Sequence, residues 1–329
     1  MMRGWLLPGA VAIVAPFFFD ADGYLLRVLT LALLLAAMGQ AWNIVGGLAG
    51  QISLGHAAYF GIGAYTSTIL LRDYGLSPWL GMVAGGLLAA GTAFAISFPI
   101  LRLRGHYFAL ATLALSEVLR LVANTWATLT GGPGGISVPF SPPNPWMFQF
   151  ASPITYYFVM LTALAVVTVV FQTMKKGAIG YRLCAARERE DAAGVVGVNV
   201  FGVKLQATVI SATLTALLGT LSVQFSYFFD PDSIFSLVNV SVKMALVVIV
   251  GGVGSAAGPI LGAFFILPIE EYLNFAFGDK AAGLPQLVYG IILMVVVLIH
   301  PKGLVAIIRA VRMLRNTNHN DKQGVTPNG

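Results

Sequence analysis

The sequence predicts an all-α polytopic membrane protein of about ten transmembrane or re-entrant helices. Three observations carry that reading. Of 329 residues, 57% are hydrophobic and 10% charged, with a mean hydropathy of +0.83, whereas roughly a quarter of a soluble domain is charged. The apolar residues form continuous runs and not the alternation of a membrane β-barrel. The 37 glycines and 16 prolines suit helices that approach closely, bend or break within a bilayer.

The elements follow in order. Residues 1–19 start with Arg3 and an apolar run resembling a secretory signal. No small-x-small cleavage site follows, and APFFFD leads into further membrane segments, so the run reads as a first span. Further runs cover 24–46, 51–71, 79–101 and 106–126. A loop at 127–152, rich in Gly and Pro and without a charge, precedes a run at 153–173. After a polar stretch come 205–229, 234–250, 256–269 and 284–300. GGVGSAAG breaks 234–269, which reads either as two short spans or as a re-entrant hairpin. The transmembrane body occupies 1–300, with a charged segment at 174–204 inside it; the tail, 301–329, is basic and then polar and disordered in composition.

Charge placement tests the count. With the N-terminus in the cytoplasm, fourteen of the nineteen Lys and Arg residues fall inside, among them Arg3, Arg102, Arg104 and the basic tail. Only Arg72 and Lys280 fall outside; Arg27, Arg120 and Lys243 lie within spans. The bias predicts an even number of crossings and a cytoplasmic C-terminus.

Six basic and three acidic residues crowd into 175–204 (KKGAIGYRLCAAREREDAAGVVGVNVFGVK). A bilayer cannot hold that charge, so the stretch sits in water between two spans. It reads as a surface through which a soluble partner moves the membrane part. Arg182, Arg187, Glu188, Arg189, Glu190 and Asp191 fit one short surface helix, which Gly194 and Gly197 interrupt.

Several classes are excluded. The net charge of +6 gathers in loops and tail with no basic face interleaved with aromatics, which argues against nucleic acid. The single cysteine, Cys184, allows no internal disulfide or cysteine metal cluster. His56, His106, His300 and His319 lie far apart without metal-ligand spacing, and no G-x-x-x-x-G-K-[ST] loop is present. No cofactor or metal is expected, and nothing resembles paired catalytic carboxylates or an activated nucleophile, so the chain reads as non-catalytic.

Residues 46–65, GGLAGQISLGHAAYFGIGAY, combine six glycines with Gln51, Ser53 and His56. Polar groups in lipid need an interior partner or a water-filled path, so this stretch is either a wall of a translocation pathway or a closely packed structural helix. On an ideal helix Ser53 and His56 share a face, while Gln51 lies about 200 degrees from Ser53. Gln51 joins them only if the helix breaks near Gly50 or Gly55, and a discontinuous element is the expectation. Glu117 and Arg120, three apart near mid-span, form an interior ion pair or, alternatively, Glu117 is a proton or cation site on the pathway. Lys243 snorkels or marks a miscounted span boundary; Asp230, Asp232, Glu270 and Glu271 look like solvated outer ends. Gly254, Gly258 and Gly262 place a smooth strip on one helix face, for packing within the subunit or between subunits. A loose likeness between GGLAGQISLGHAAYF and GGVGSAAGPILGAFF hints at an internal repeat.

Four blocks together resemble one family: GQISLGHAAYFGIGAY, TLALSEVLRLVANTW with LTGGPGGI, GYRLCAAREREDAAGVVGVNVFGVKLQA, and DPDSIFSLVNVSVKMALVVIVGGVGSAAGPILGA. They look like the LivM-type membrane permease subunits of ATP-binding-cassette importers for branched-chain amino acids, over nearly the whole chain. The resemblance implies the ABC importer permease fold in a bacterial inner membrane. It also implies a second homologous permease, two cytoplasmic ATPases and a periplasmic substrate-binding protein as partners. In such permeases an E-A-A-x-x-x-G type sequence docks in a groove of the ATPase. Glu190, Asp191, Ala192 and Ala193 with Gly197 match it, with Arg187 and Gly194 beside them; Asp191 interrupts the strict order. Urea or short amides are the alternative substrate class, as are aromatic and other hydrophobic amino acids. An ion-gradient-driven transporter using Glu117 and an intramembrane enzyme are the readings from other classes. A membrane-impermeant thiol reagent on intact cells is expected to miss Cys184 and to label Ser141→Cys; labelling of Cys184 from outside inverts the topology.

Overall fold

Residues 12–14, 16, 23–140, 142–277, 283–299 and 303–306 are described by a computed structural model of the chain. Most of the expected first span, Ser141, Lys280, His300 and the tail beyond 306 lie outside the described residues.

The fold is built around α1 (Tyr24–Asn43). Its sequence, LLRVLTLALLLAAMGQAWN after Tyr24, is apolar all round, and a helix without a polar face belongs at the centre of a bundle. Residues 32–43 are buried without exception. Around α1 pack α5 (Pro153–Lys176), α8 (Val200–Ser226), α9 (Lys243–Gly251) and α10 (Gly258–Phe277). A π-helical turn, Ile44–Leu48, closes α1. A second layer holds α2 (His56–Tyr74), sandwiched between α3 (Pro78–Ile100) and α8. Outermost is α4 (His106–Thr125), which turns one stripe inward, Phe108, Thr112, Ser116 and Ala123. The short helices α6 (Ala178–Glu188) and α7 (Glu190–Val195) join α5 to α8, and α11 (Leu284–Ile299) packs against α10.

Small residues set the close approaches of the second layer. A Cβ added at Gly63 of α2 would collide with the Ala216 backbone of α8, and one at Gly85 of α3 would press on Gly63. At that crossing Thr220 donates to the Gly63 carbonyl at 3.0 Å. Close backbone approach with a hydroxyl bond across it is how membrane helices associate where lipid removes the hydrophobic drive.

Among the described residues, seven helices are long and apolar enough to cross a membrane. The all-α polytopic architecture holds, and the expected ten is not reached in that count. Thr66, Ser67, Thr68, Arg72 and Asp73 dilute α2, a 19-residue helix that does not need lipid compatibility because it is enclosed. At 16 residues, α11 falls below the ~20 that a crossing needs.

Several sequence expectations require correction. The element expected over 51–71 begins only at His56. The break at 234–269 is a hairpin of two full-length helices, Pro231–Gly251 and Gly258–Phe277, of 21 and 20 residues. Gly254 belongs to the connecting turn at φ +71°, so the glycine strip reduces to Gly258 and Gly262 against Gly251, Gly252 and Val247 of the same chain. Lys243 does not snorkel: it pairs with Glu270 at 2.6 Å, inside α10 and not at a solvated end. Glu271 accepts from the Tyr24 hydroxyl at 2.9 Å. Asp230 caps the turn Pro231–Ile234 through the Ser233 N–H. Lys204, counted among exposed cytoplasmic charges, lies in the first turns of α8, with 5% of its side chain exposed, paired to Glu190. The expected single surface helix is two, broken at Arg189 (φ −153°, ψ 106°), with Gly194 inside the second.

The uncharged 127–152 loop is an ordered cap. Strand β1 (Ile136–Ser137) pairs antiparallel with β2 (Phe228–Phe229). Trp79 donates to the Pro145 carbonyl at 2.9 Å, and Phe148 is buried beneath the loop. The Tyr156 hydroxyl meets Tyr227 at 2.6 Å.

Gly63→Ala is expected to cost about 1–3 kcal/mol through overpacking, read as a lower midpoint of thermal unfolding in detergent. Gly91→Ala, where a Cβ meets nothing within 4 Å, is expected to be neutral or to stabilise by up to ~1 kcal/mol through helix propensity.

Candidate functional site

Between α1 and α2 the chain leaves helical geometry inside the bundle. After the π turn, residues 50–55 run without regular structure and α2 starts at His56. A helix start exposes N–H groups lacking an intrahelical acceptor, and in apolar surroundings each costs several kcal/mol if unpaired. The sequence places no capping side chain at Gly55. Instead, hydroxyls from other helices converge there. Thr112 of α4 accepts from Leu54 N–H at 3.0 Å, Ser116 of α4 from Ala58 N–H at 3.2 Å, and Ser241 from Ala57 N–H at 2.9 Å. The Ser53 carbonyl takes the Trp42 indole N–H at 2.7 Å.

His56 sits at the centre of this collar. Ser211 of α8 spends its one hydroxyl hydrogen on the Ala41 carbonyl at 2.7 Å, so the 2.9 Å contact with His56 is donated by Nε2–H. Nδ1 is therefore the acceptor nitrogen, and it is buried without a hydrogen-bond partner. The Ser211 hydroxyl thus ties three helices together, reaching α1 through Ala41 and α2 through His56 from its own place on α8.

Gln51, Ser53 and His56 are each buried, with His56 only 2% exposed. The expected shared helix face does not exist, since Ser53 precedes the helix. Gln51 borders a cavity of about 260 Å³ that also touches Arg104, His106, Arg187 and Glu190. Glu117 stands apart from these residues. Arg120 grips it through Nε at 3.0 Å and Nη2 at 2.5 Å, and also bonds Asp232, to which Asn124 donates at 3.0 Å. The Glu117 side chain is 46% exposed, so this pair does not face the bundle interior as the sequence suggested.

The charged segment projects from the opposite end. Leu183, Ala186 and Ala193 form its inward face, with Glu190 anchored on Lys204. Asp191 has 89% of its side chain exposed and meets Arg104 at 3.3 Å. Ala192 and Gly194 are exposed, as are Val195 and Val196 at the tip. Arg187 also turns inward, donating to the Gly47 carbonyl at 2.9 Å. Sequence reading missed the collar of Thr112, Ser116, Ser211 and Ser241. A faint signal existed in the spacing of Thr112 and Ser116, which puts two hydroxyls on one face of an otherwise apolar helix.

A family profile described as branched-chain amino acid transport system / permease component matches residues 24–298. The chain belongs to that family. The permease is 30% identical over 314 residues to the high-affinity branched-chain amino acid transport system permease protein LivM of Escherichia coli (strain K12), covering 88% of this chain and 72% of the relative. It is 24% identical over 293 residues to the LivH protein of the same organism, covering 84% and 92%. A probable LivM protein of Methanocaldococcus jannaschii is 22% identical over 290 residues, covering 79% and 81%. No solved structure matches. Similarity to both LivM and LivH proteins makes this a multi-pass transport permease.

His56→Leu leaves the Ser211 oxygen without its donor, an effect of about 1–3 kcal/mol for a buried group. The variant permease is expected to insert and to show a lowered thermal midpoint with reduced transport, while His56→Gln, which retains a donor, recovers most of the midpoint. Unchanged stability in His56→Leu removes the role of the His56–Ser211 bond.

Proposed function

We propose that this permease is the membrane subunit of an ATP-driven importer and forms half of the translocation pathway for branched-chain or other hydrophobic amino acids. It pairs with a second, homologous permease, two cytoplasmic ATPases and a periplasmic substrate-binding protein in a bacterial inner membrane. The single observation that carries this is the α6–α7 projection between two spanning helices, with its charged and apolar tip. The tip pairs exposed Asp191 with exposed Val195 and Val196, a surface that fits a groove on a soluble partner. In this reading Asp191, Ala192, Gly194 and Gly197 face the ATPase, while Glu190 and Ala193 seat the projection on α8. The interrupted element at Gln51, Ser53 and His56 narrows the pathway, and specificity rests with the binding protein. Both termini lie in the cytoplasm and ten crossings are made, α2 and α11 included. Glu117, ion-paired by Arg120, lines the outer part of the pathway.

In proteoliposomes holding the assembled complex, uptake is expected to require ATP and to survive an ionophore that collapses the ion gradients; loss of uptake with the ionophore overturns the reading. Asp191→Ala, and Gly197→Trp at a position of φ +86° with open space around it, are expected to leave the subunit inserted. Each is expected to lower uptake about tenfold relative to hydrolysis, a coupling loss of ordinary size.

A further inference from the structure

One side chain of the projecting helices, Arg187, reaches the end of the interrupted helix by both a hydrogen bond and a packing contact. Arg187, on the last turn of α6, donates from Nη1 to the Gly47 carbonyl at 2.9 Å and from Nη2 to Glu188 at 3.2 Å. Gly47 lies in the π turn that ends α1. Three residues on, Gly50 adopts φ +69°, and a Cβ there would fall on the Cγ and Cδ of Arg187. Glycine is needed here twice over, for the left-handed backbone and for the arginine stem lying on it.

The other links from the projection go elsewhere. Glu190 holds Lys204 of α8, and Asp191 holds Arg104 in the α3–α4 connection. Arg187 hydrogen-bonds the π turn that leads into the interruption, and its stem lies on Gly50. Gln51 and Ile52, immediately beyond, border the cavity of about 260 Å³. Close-packed interiors do not deform continuously, so a segment that moves needs vacant space beside it. This segment has both the handle and the space.

We propose that Arg187 is a positioning residue that carries movement of the α6–α7 projection into the 49–55 segment. As α6 shifts, the guanidinium draws the Gly47 carbonyl and the stem presses on Gly50, displacing Gln51 and Ile52 relative to the cavity. The proposal rests on the reading of α6–α7 as the ATPase contact, and gives Arg187 an inward task distinct from the outward one of Asp191.

The test uses the assembled complex in proteoliposomes, with Cys184→Ser and Ile52→Cys in the permease; Ile52 is 58% exposed. The labelling rate of Ile52→Cys by a hydrophilic maleimide is compared without nucleotide and with ATP trapped by vanadate. With Arg187 in place the two rates are expected to differ by about fivefold or more, the scale of a coupling between distinct sites. Arg187→Met, which keeps the stem over Gly50 and loses the donor, is expected to bring the ratio to one and to lower uptake about tenfold while ATP is still hydrolysed. Arg187→Lys, which keeps a donor, is expected to restore at least half of the ratio, a rescue that a purely structural role would not show. A ratio that survives Arg187→Met overturns the proposal, and so does a ratio of one with Arg187 in place. Should Arg187→Met fail to assemble, the Arg187→Lys ratio decides, and its absence alongside normal uptake overturns the proposal. Failure of the ATPases to co-purify with the unaltered permease overturns the importer reading itself.

Discussion

The constraint on which this structure depends is that a backbone amide in apolar surroundings must find a protein partner. The permease breaks its second membrane element at 50–55 and meets the constraint from neighbouring helices. Thr112, Ser116 and Ser241 reach the N–H groups at and before the α2 start, and Trp42 takes the Ser53 carbonyl. Those bonds fix where α4 and the π-helical turn Leu237–Val242 before α9 lie relative to α2, so the interruption organises the bundle around it. A continuous helix would satisfy its own amides and would leave Thr112 and Ser116 of α4 without these partners.

Charge is arranged at two levels. On the α6–α7 side, Lys204 with Glu190 and Arg104 with Asp191 tie the projection to α8 and to the α3–α4 connection. At the cap end, Arg120 joins Glu117 to Asp232, and Lys243 joins Glu270. Lys204 differs from the rest in its burial. A buried ion pair is weak support for stability, yet breaking one partner is costly because the other is left uncompensated. Its effect is therefore to make detachment of α7 from α8 unfavourable, so that the projection and the long helix move as one body.

The polytopic class and the order of its elements were legible because continuous apolar runs and charge clusters are local features. The 175–204 stretch could be placed in water for the same reason. Its internal geometry was less legible: Arg189, an ordinary helix former, carries the break, while Gly194 sits within a helix. Such choices are made by tertiary contact, here the seating of Ala193 and Glu190 on α8. Lys243 and Glu270 lie 27 positions apart in sequence, and no local pattern pairs them across the hairpin. The polar residues of 51–56 announced an unusual element, but the hydroxyl partners of this region come from 58 to 184 residues away. The glycines at 46–63 could be read only as small; which of them takes a neighbour's backbone, as Gly63 takes Ala216, is a property of the fold.

Helix α4 has one further consequence. Its most apolar stretch is 22% buried, against 89% for α1, and beside Val118, Leu121 and Val122 it carries the half-exposed Glu117 and the partly exposed Arg120, which pairs with Asp232 of the Pro231–Ile234 turn. Charged groups facing hydrocarbon are expensive, and partial pairing does not remove the expense. A solitary copy of this chain would therefore carry a defect that the bilayer itself detects. Water drawn to those carboxylates would thin the lipid around α4, and any cover over that face, whether protein or a water-filled channel, would relieve it.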